Sequence, residues 1–196
     1  METRKLLLVL ASLALLASPL IAADTVKVVS SSPHPWAPIT ATWAAGSFKT
    51  FCVEWDVQMR SGKTYYYTID GDVKFGGSQG PLAEETKKIY AAYLNGALAA
   101  SESDIQKEIW YWEGAPAVIG GKPYGVNTGI FASLNPGDYD GWNNVRVMNL
   151  WKTAAGIYTK DGDVQSILVL IPAPGAILLA GLGTTLVGLL RRRQSL

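Results

Sequence analysis

One cysteine, one histidine and almost no net charge limit what this sequence can be. A lone cysteine, Cys52, has no partner for an internal disulfide. In an oxidising compartment an exposed thiol would be a liability. Lys and Arg (17) nearly balance Asp and Glu (16), leaving +1 and no clustered basic face. Nucleic acid is therefore excluded as a partner. The lone histidine, His34, sits between Pro33 and Pro35 in a predicted loop, and nothing in the pattern brings it to Cys52 as a nucleophile's base. No internal repeat is present, and charged residues are only 17% of the 196. That length suits one globular domain plus processing segments, because domains typically hold about 100–150 residues.

What the sequence has in plenty is apolar length at both ends. Residues 1–23 place Arg4 and Lys5 before the run LLLVLASLALL, followed by Pro19 and the small exit residues Ala22 and Ala23. This is the layout of a secretory signal peptide. The run is shorter than the roughly 20 residues that span hydrocarbon, which disfavours a permanent anchor. Residues 171–196 read IPAPGAILLAGLGTTLVGLLRRRQSL, with no charge from 176 to 190. The segment reaches bilayer length, and the cluster Arg191, Arg192 and Arg193 marks a cytoplasmic end. The chain would hang outside the cytoplasmic membrane, held transiently or permanently. Pro172 and Pro174, the Gly-rich apolar span and the Arg-rich terminus together resemble the PEP-CTERM sorting tail of Gram-negative bacteria. The resemblance implies processing by an exosortase near the proline box and delivery to the cell surface or extracellular matrix. Ala173 departs from the Glu usual in that family.

Residues 24–170 carry the globular pattern. Segment 25–29 alternates as a strand, and 30–38, with Pro33, Pro35 and Pro38, reads as loop or edge. Segment 49–57 reads as a strand with Phe51, Val53, Trp55 and Val57 on one face and Cys52, Glu54 and Asp56 on the other. Strands at 64–69 and 73–75 flank Asp70 and Gly71, a hairpin pattern. Segment 82–100 is predicted as an amphipathic helix that Asn95 and Gly96 interrupt. A second helix over 103–112 places Ile105, Ile109 and Trp112 on one side. Gly and Pro crowd 114–129, Asn135-Pro136-Gly137 is a turn, and 145–151 and 164–170 are strands around an Asp161-Gly162 turn. The expected fold is α+β, an antiparallel sheet or sandwich with a helical insert at about 82–113, plus an N-terminal signal helix and a C-terminal transmembrane helix.

Two short stretches carry chemistry. Phe51-Cys52-Val53-Glu54 lies on a predicted strand, and Ile105-Gln106 with Ile109-Trp110 lies on a predicted helix. Together they resemble the thioester domains of bacterial surface adhesins, in which a strand cysteine and a helix glutamine cross-link. The layout is similar to a group of small PEP-CTERM proteins with the same two boxes, extending through VRVMNL at 145–150. The resemblance implies that Cys52 attacks the Gln106 carboxamide, releases ammonia and stores an acyl donor. A partner amine or hydroxyl would then take the acyl group. The resemblance thus implies that each domain would react once and stay bonded, and would not be a turnover enzyme. A dry aromatic clamp from Trp110, Trp112, Trp55 and the tyrosines at 65–67, Tyr66 among them, would keep water from the bond.

Plainer readings of the same residues stay open. Cys52 could be a small buried hydrophobe. Ser103 and Gln106 have the spacing of a capping box, which alone would explain the glutamine. Trp110 and Trp112 could be core. Exposed Trp and Tyr on a β scaffold could stack on sugars, giving a noncovalent matrix-polysaccharide module instead. Asp138, Asp140 and their Asn neighbours have the look of a calcium loop but lack its closing glutamate, and ordinary turn formation accounts for them. Glu54 with Asp56, and Glu108 with Glu113, read as solvated carboxylates rather than a glycosidase pair. No cofactor or metal is expected.

Overall fold

The computed structural model describes residues 24–30, 39–43, 46–116, 118–119, 122–123, 125, 129–156 and 163–171. The expected signal peptide, Pro172, Pro174, the apolar span 176–190, Arg191, Arg192, Arg193, His34 and the Asp161-Gly162 turn lie outside the described residues. Among the described residues no helix is long and apolar enough to cross a membrane.

The chain runs β1 (Thr25–Ser30), β2 (Ile39–Trp43), β3 (Gly46–Thr50), β4 (Thr64–Asp70), β5 (Asp72–Val73), β6 (Gly80–Pro81), α1 (Glu84–Leu94), α2 (Glu102–Trp112), β7 (Val118–Ile119), β8 (Lys122–Pro123), α3 (Gly129–Ala132), β9 (Val145–Trp151) and β10 (Asp163–Leu170). Six strands form one antiparallel sheet in the order β10-β9-β4-β1-β2-β3. The sheet curls until the chain leaving β3 pairs with β10. Cys52 bridges Ile167, Val53 N–H donates to Ser166 O (3.0 Å), and Leu168 N–H donates to Phe51 O (3.2 Å). This is an α+β fold with helices packed on an antiparallel sheet.

Period-two alternation sorts the buried side chains onto two sides of the sheet. Phe51, Val53, Val145, Val147 and Leu168 pack with Ile89 and Tyr90 of α1 and Ile105 and Ile109 of α2. Val26, Val28, Tyr65, Met148, Leu150, Ile167 and Val169 form the other cluster, which includes Cys52. A curled sheet must fill its concave side with its own side chains, and β-branched residues suit that pleated surface.

Two predicted elements fall differently. The expected strand at 49–57 ends at Thr50, and beyond it the pairing continues as a single bridge of Cys52 with Ile167, bonded through Phe51 and Val53. Beyond it, Trp55 joins the Cys52 cluster instead of the Phe51 side, because the chain bends where the Asp56 carboxylate accepts Gly77 N–H (3.0 Å). The expected hairpin at Asp70-Gly71 does not form: β4 pairs with β1 and β9, while β5 pairs with β6. Asp70 instead accepts from Gly71 N–H (2.8 Å) and Lys74 Nζ (2.8 Å), turning the chain locally.

The helical insert is two helices. At the end of α1, Gly96 takes φ +72°, and Ala97 N–H reaches Ala92 O at 2.9 Å, closing the helix as the Asn95-Gly96 pattern predicts. The second helix starts earlier than predicted, because Ser101 rather than Ser103 is its N-cap. Ser101 Oγ accepts from Asp104 N–H (3.2 Å) and donates to Asp104 Oδ2 (2.6 Å). Ser101→Ala is expected to lower the stability of the chain by about 1 kcal/mol, measured as a shift in thermal midpoint, whereas Ser103→Ala leaves it unchanged.

Candidate functional site

The earlier cap frees Gln106 from any role at the helix start. Its carboxamide instead clasps Cys52: Cys52 N–H donates to Gln106 Oε1 at 2.9 Å, and Gln106 Nε2–H donates to Cys52 O at 2.8 Å. Strand geometry explains why these groups are available. The hydrogen bonds between 51–53 and β10 come from Val53 and Phe51, so the N–H and C=O of Cys52 point away from β10. Gln106, with no solvent exposure, stands where a neighbouring strand would.

The clasp also fixes how the carboxamide stands against the Cys52 backbone. Two bonds from one carboxamide to the N–H and C=O of one residue hold the amide carbon opposite that residue's Cα. The thiol sulfur hangs from this Cα through a single methylene, so one side-chain torsion governs its approach. Cys52 N–H points at the oxygen on which negative charge would develop, which is the position of an oxyanion donor. Cys52 is 6% exposed, and burial, followed by the charge of Glu54, holds its thiol well above the usual thiol range. An unacylated Cys52 is therefore held as the neutral thiol.

Of the clamp residues read from the sequence, Trp110 is buried in the Cys52 cluster together with Tyr65, and Trp55 and Tyr67 pack against it. Tyr65 Oη accepts from Arg60 N–H (2.9 Å) and donates to Arg60 O (3.1 Å), fastening the loop after the Cys52 segment. Trp112 and Tyr66 do not join them. Trp112 packs on the α1 side of the sheet, edge-on to Phe131 at 5.5 Å, and its Nε1–H donates to Glu108 Oε1 (3.4 Å). Tyr66 alternates to the face opposite Tyr65 and Tyr67, and belongs to neither cluster.

The carboxylates correct the sequence reading. Only Asp56 of the four is exposed; Glu54 and Glu108 have no solvent exposure, and Glu113 is buried. Glu108 accepts from Ile130 N–H (3.2 Å) and Phe131 N–H (2.9 Å), the orphan donors of α3. Glu113 accepts from Ala83 N–H (3.1 Å) at the start of α1, where Ala83 supplies no cap of its own. Burial raises both carboxyls. Glu54 Oε2 accepts from Ser166 N–H (2.5 Å), its Oε1 lies 2.6 Å from Ser166 Oγ, and burial pushes its carboxyl up to about 7.

Sequence reasoning missed Ser166 and Asn149, both without exposure. The available cue was Gln165-Ser166, a polar pair inside the apolar strand of β10. In the 135–140 turn, Asp138 Oδ2 accepts from Asn135 N–H (2.7 Å), while the carbonyls of Asp138 and Asp140 accept from Asn95 Nδ2. Among the described residues no cluster of three or more His, Cys, Asp or Glu could hold a metal ion. Comparison with family models, curated proteins and solved structures finds no match to this chain.

Proposed function

We propose that this chain is an exported surface or matrix protein whose Cys52 and Gln106 form an internal thioester for covalent attachment to a partner nucleophile. The observation that carries the reading is the two-point clasp between Gln106 and Cys52, buried among Trp110, Tyr65 and Trp55. In the bond-forming step Sγ attacks Gln106 Cδ, and the thiol proton leaves with the amide nitrogen as ammonia. Cys52 N–H stabilises the oxygen in transit. In the capture step a primary amine attacks the same carbon. The product is an amide to Gln106, and the amine's proton returns Cys52 to a thiol. The apolar ends and the proline box support export, processing by an exosortase-type enzyme at the cytoplasmic membrane, and a surface address.

Intact mass decides the chemistry. The purified chain in non-nucleophilic buffer is expected to be lighter by one ammonia, with the deficit absent in Cys52→Ala and Gln106→Ala. Full mass with a titratable thiol ends the thioester reading. It would favour a noncovalent structural or glycan-binding module, in which the clasp serves only to satisfy the backbone of Cys52. The high-lying thiol is the observation on that module's side.

A further inference from the structure

Ser166 Oγ faces two oxygens with one hydrogen to give. It lies 2.6 Å from Glu54 Oε1 and 3.0 Å from Asn149 Oδ1, both at hydrogen-bond distance. The orientation of the Asn149 amide is fixed independently: its Oδ1 accepts from Lys74 N–H (3.1 Å) and its Nδ2 donates to Asp72 O (3.1 Å). Flipping it would set an amine against the Lys74 N–H and an oxygen against the Asp72 carbonyl. Asn149 Oδ1 is therefore an acceptor, and an ionised Glu54 is an acceptor too. One serine hydrogen cannot serve both. The count closes if Glu54 carries the missing proton, so that Glu54 donates to Ser166 Oγ and Ser166 donates to Asn149.

We infer that Glu54 holds a proton at neutral pH and that losing it shuts the Cys52–Gln106 site. The inference rests on the thioester reading and adds its regulation. Forming the bond and opening it both place negative charge on the Cys52 sulfur, because the sulfur is nucleophile in one step and leaving group in the other. Glu54 lies two residues along the same chain segment, and its charge bears on the Cys52 thiol. A neutral Glu54 leaves the sulfur free to take charge, whereas an ionised one opposes it in a buried setting where screening is weak. Among the described residues, the groups facing Glu54 supply no compensating cation. Cys52 and Asp56 lie on its own segment, β10 presents Gln165 and Ser166, Asn149 of β9 reaches it through Ser166, and Gly76 packs beside its side chain. Beyond Asn149, Lys74 Nζ is engaged by Asp70 (2.8 Å) and Asp72 (3.8 Å).

Glu54→Gln keeps the acceptor for Ser166 N–H, supplies an N–H for Ser166 Oγ, and cannot ionise. Two measurements on the full chain use it. Infrared difference spectra of wild type against Glu54→Gln are expected to show a protonated-carboxyl band that fades as pH rises through about 7; its absence below that pH overturns the inference. The second is the rate at which methylamine releases the Cys52 thiol. Amine basicity affects both chains alike, so their ratio isolates Glu54. Wild type is expected to match Glu54→Gln at about pH 6 and to fall roughly tenfold behind it by about pH 9. A ratio independent of pH overturns the gate while the thioester stands. A Glu54→Gln chain that is slow at every pH identifies Glu54 as a base instead and also overturns it. If the chain shows no ammonia deficit, the thioester reading fails separately. The same ratio is then read from alkylation of Cys52 by iodoacetamide, with the same expected and overturning results.

Discussion

Gln106→Ala is expected to destabilise the fold by about 2–5 kcal/mol, as well as to abolish any ammonia deficit. The truncation strips partners from two backbone groups at once, the N–H and the C=O of Cys52, in a place with no solvent exposure. Each buried group left unpaired costs about 1–3 kcal/mol, and the vacated volume adds to it. Gln106→Glu separates the contributions. Its carboxylate can still accept from Cys52 N–H but meets Cys52 O as a repelling oxygen, so it should recover part of the stability and more of it at low pH. Denaturant midpoints of the three chains are the measurement. A Gln106→Ala chain as stable as wild type would mean that water reaches Cys52, and a wet pocket could not preserve a thioester.

The second large effect is a dependence of stability on pH that runs against the usual carboxylate trend. Glu54 titrates near 4.5 when unfolded and at about 7 when folded, because burial disfavours its charge. The folded chain therefore binds the extra proton across that interval. The contribution of Glu54 is fully present below about pH 4.5 and is lost as pH rises through about 7, amounting to about 3 kcal/mol. Glu108 and Glu113 are raised by burial as well, so the wild-type curve alone does not isolate it. The difference between wild type and Glu54→Gln does. Unfolding free energies should converge at acid pH, and the wild-type chain should fall behind above neutrality. Parallel curves would place the Glu54 proton on water rather than in the fold.

Much of the fold was legible because local patterns agreed with the tertiary result. The run at 145–151 became β9 residue for residue, and Asn95-Gly96 closed α1, since a glycine with positive φ ends a helix wherever the helix sits. The pairing of Cys52 with Gln106 was visible as two short boxes. Which serine capped α2 was not, because Ser101 and Ser103 both precede acidic helix-forming residues, and only the packing of α2 on the sheet selects between them. That choice matters, since a cap at Ser103 would have occupied Gln106. Glu54 was read as a solvated residue because alternation assigns a face but not what covers the face. Here the covering is β10 and the chain at 76–77, far away in sequence.

The amino-acid sequence by itself determined the apolar ends, the existence of α1 and α2, strands such as β9, and the residue types able to form a thioester, because these follow from periodicity and composition along short stretches. The tertiary structure alone decided that a helix side chain replaces a missing strand at Cys52, and that one serine hydrogen between Glu54 and Asn149 calls for a proton on the glutamate. Both depend on curling of the sheet, which brings residues more than a hundred positions apart to hydrogen-bond distance. Pairings of that range are set by burial and backbone satisfaction over the whole domain, and no local pattern encodes them.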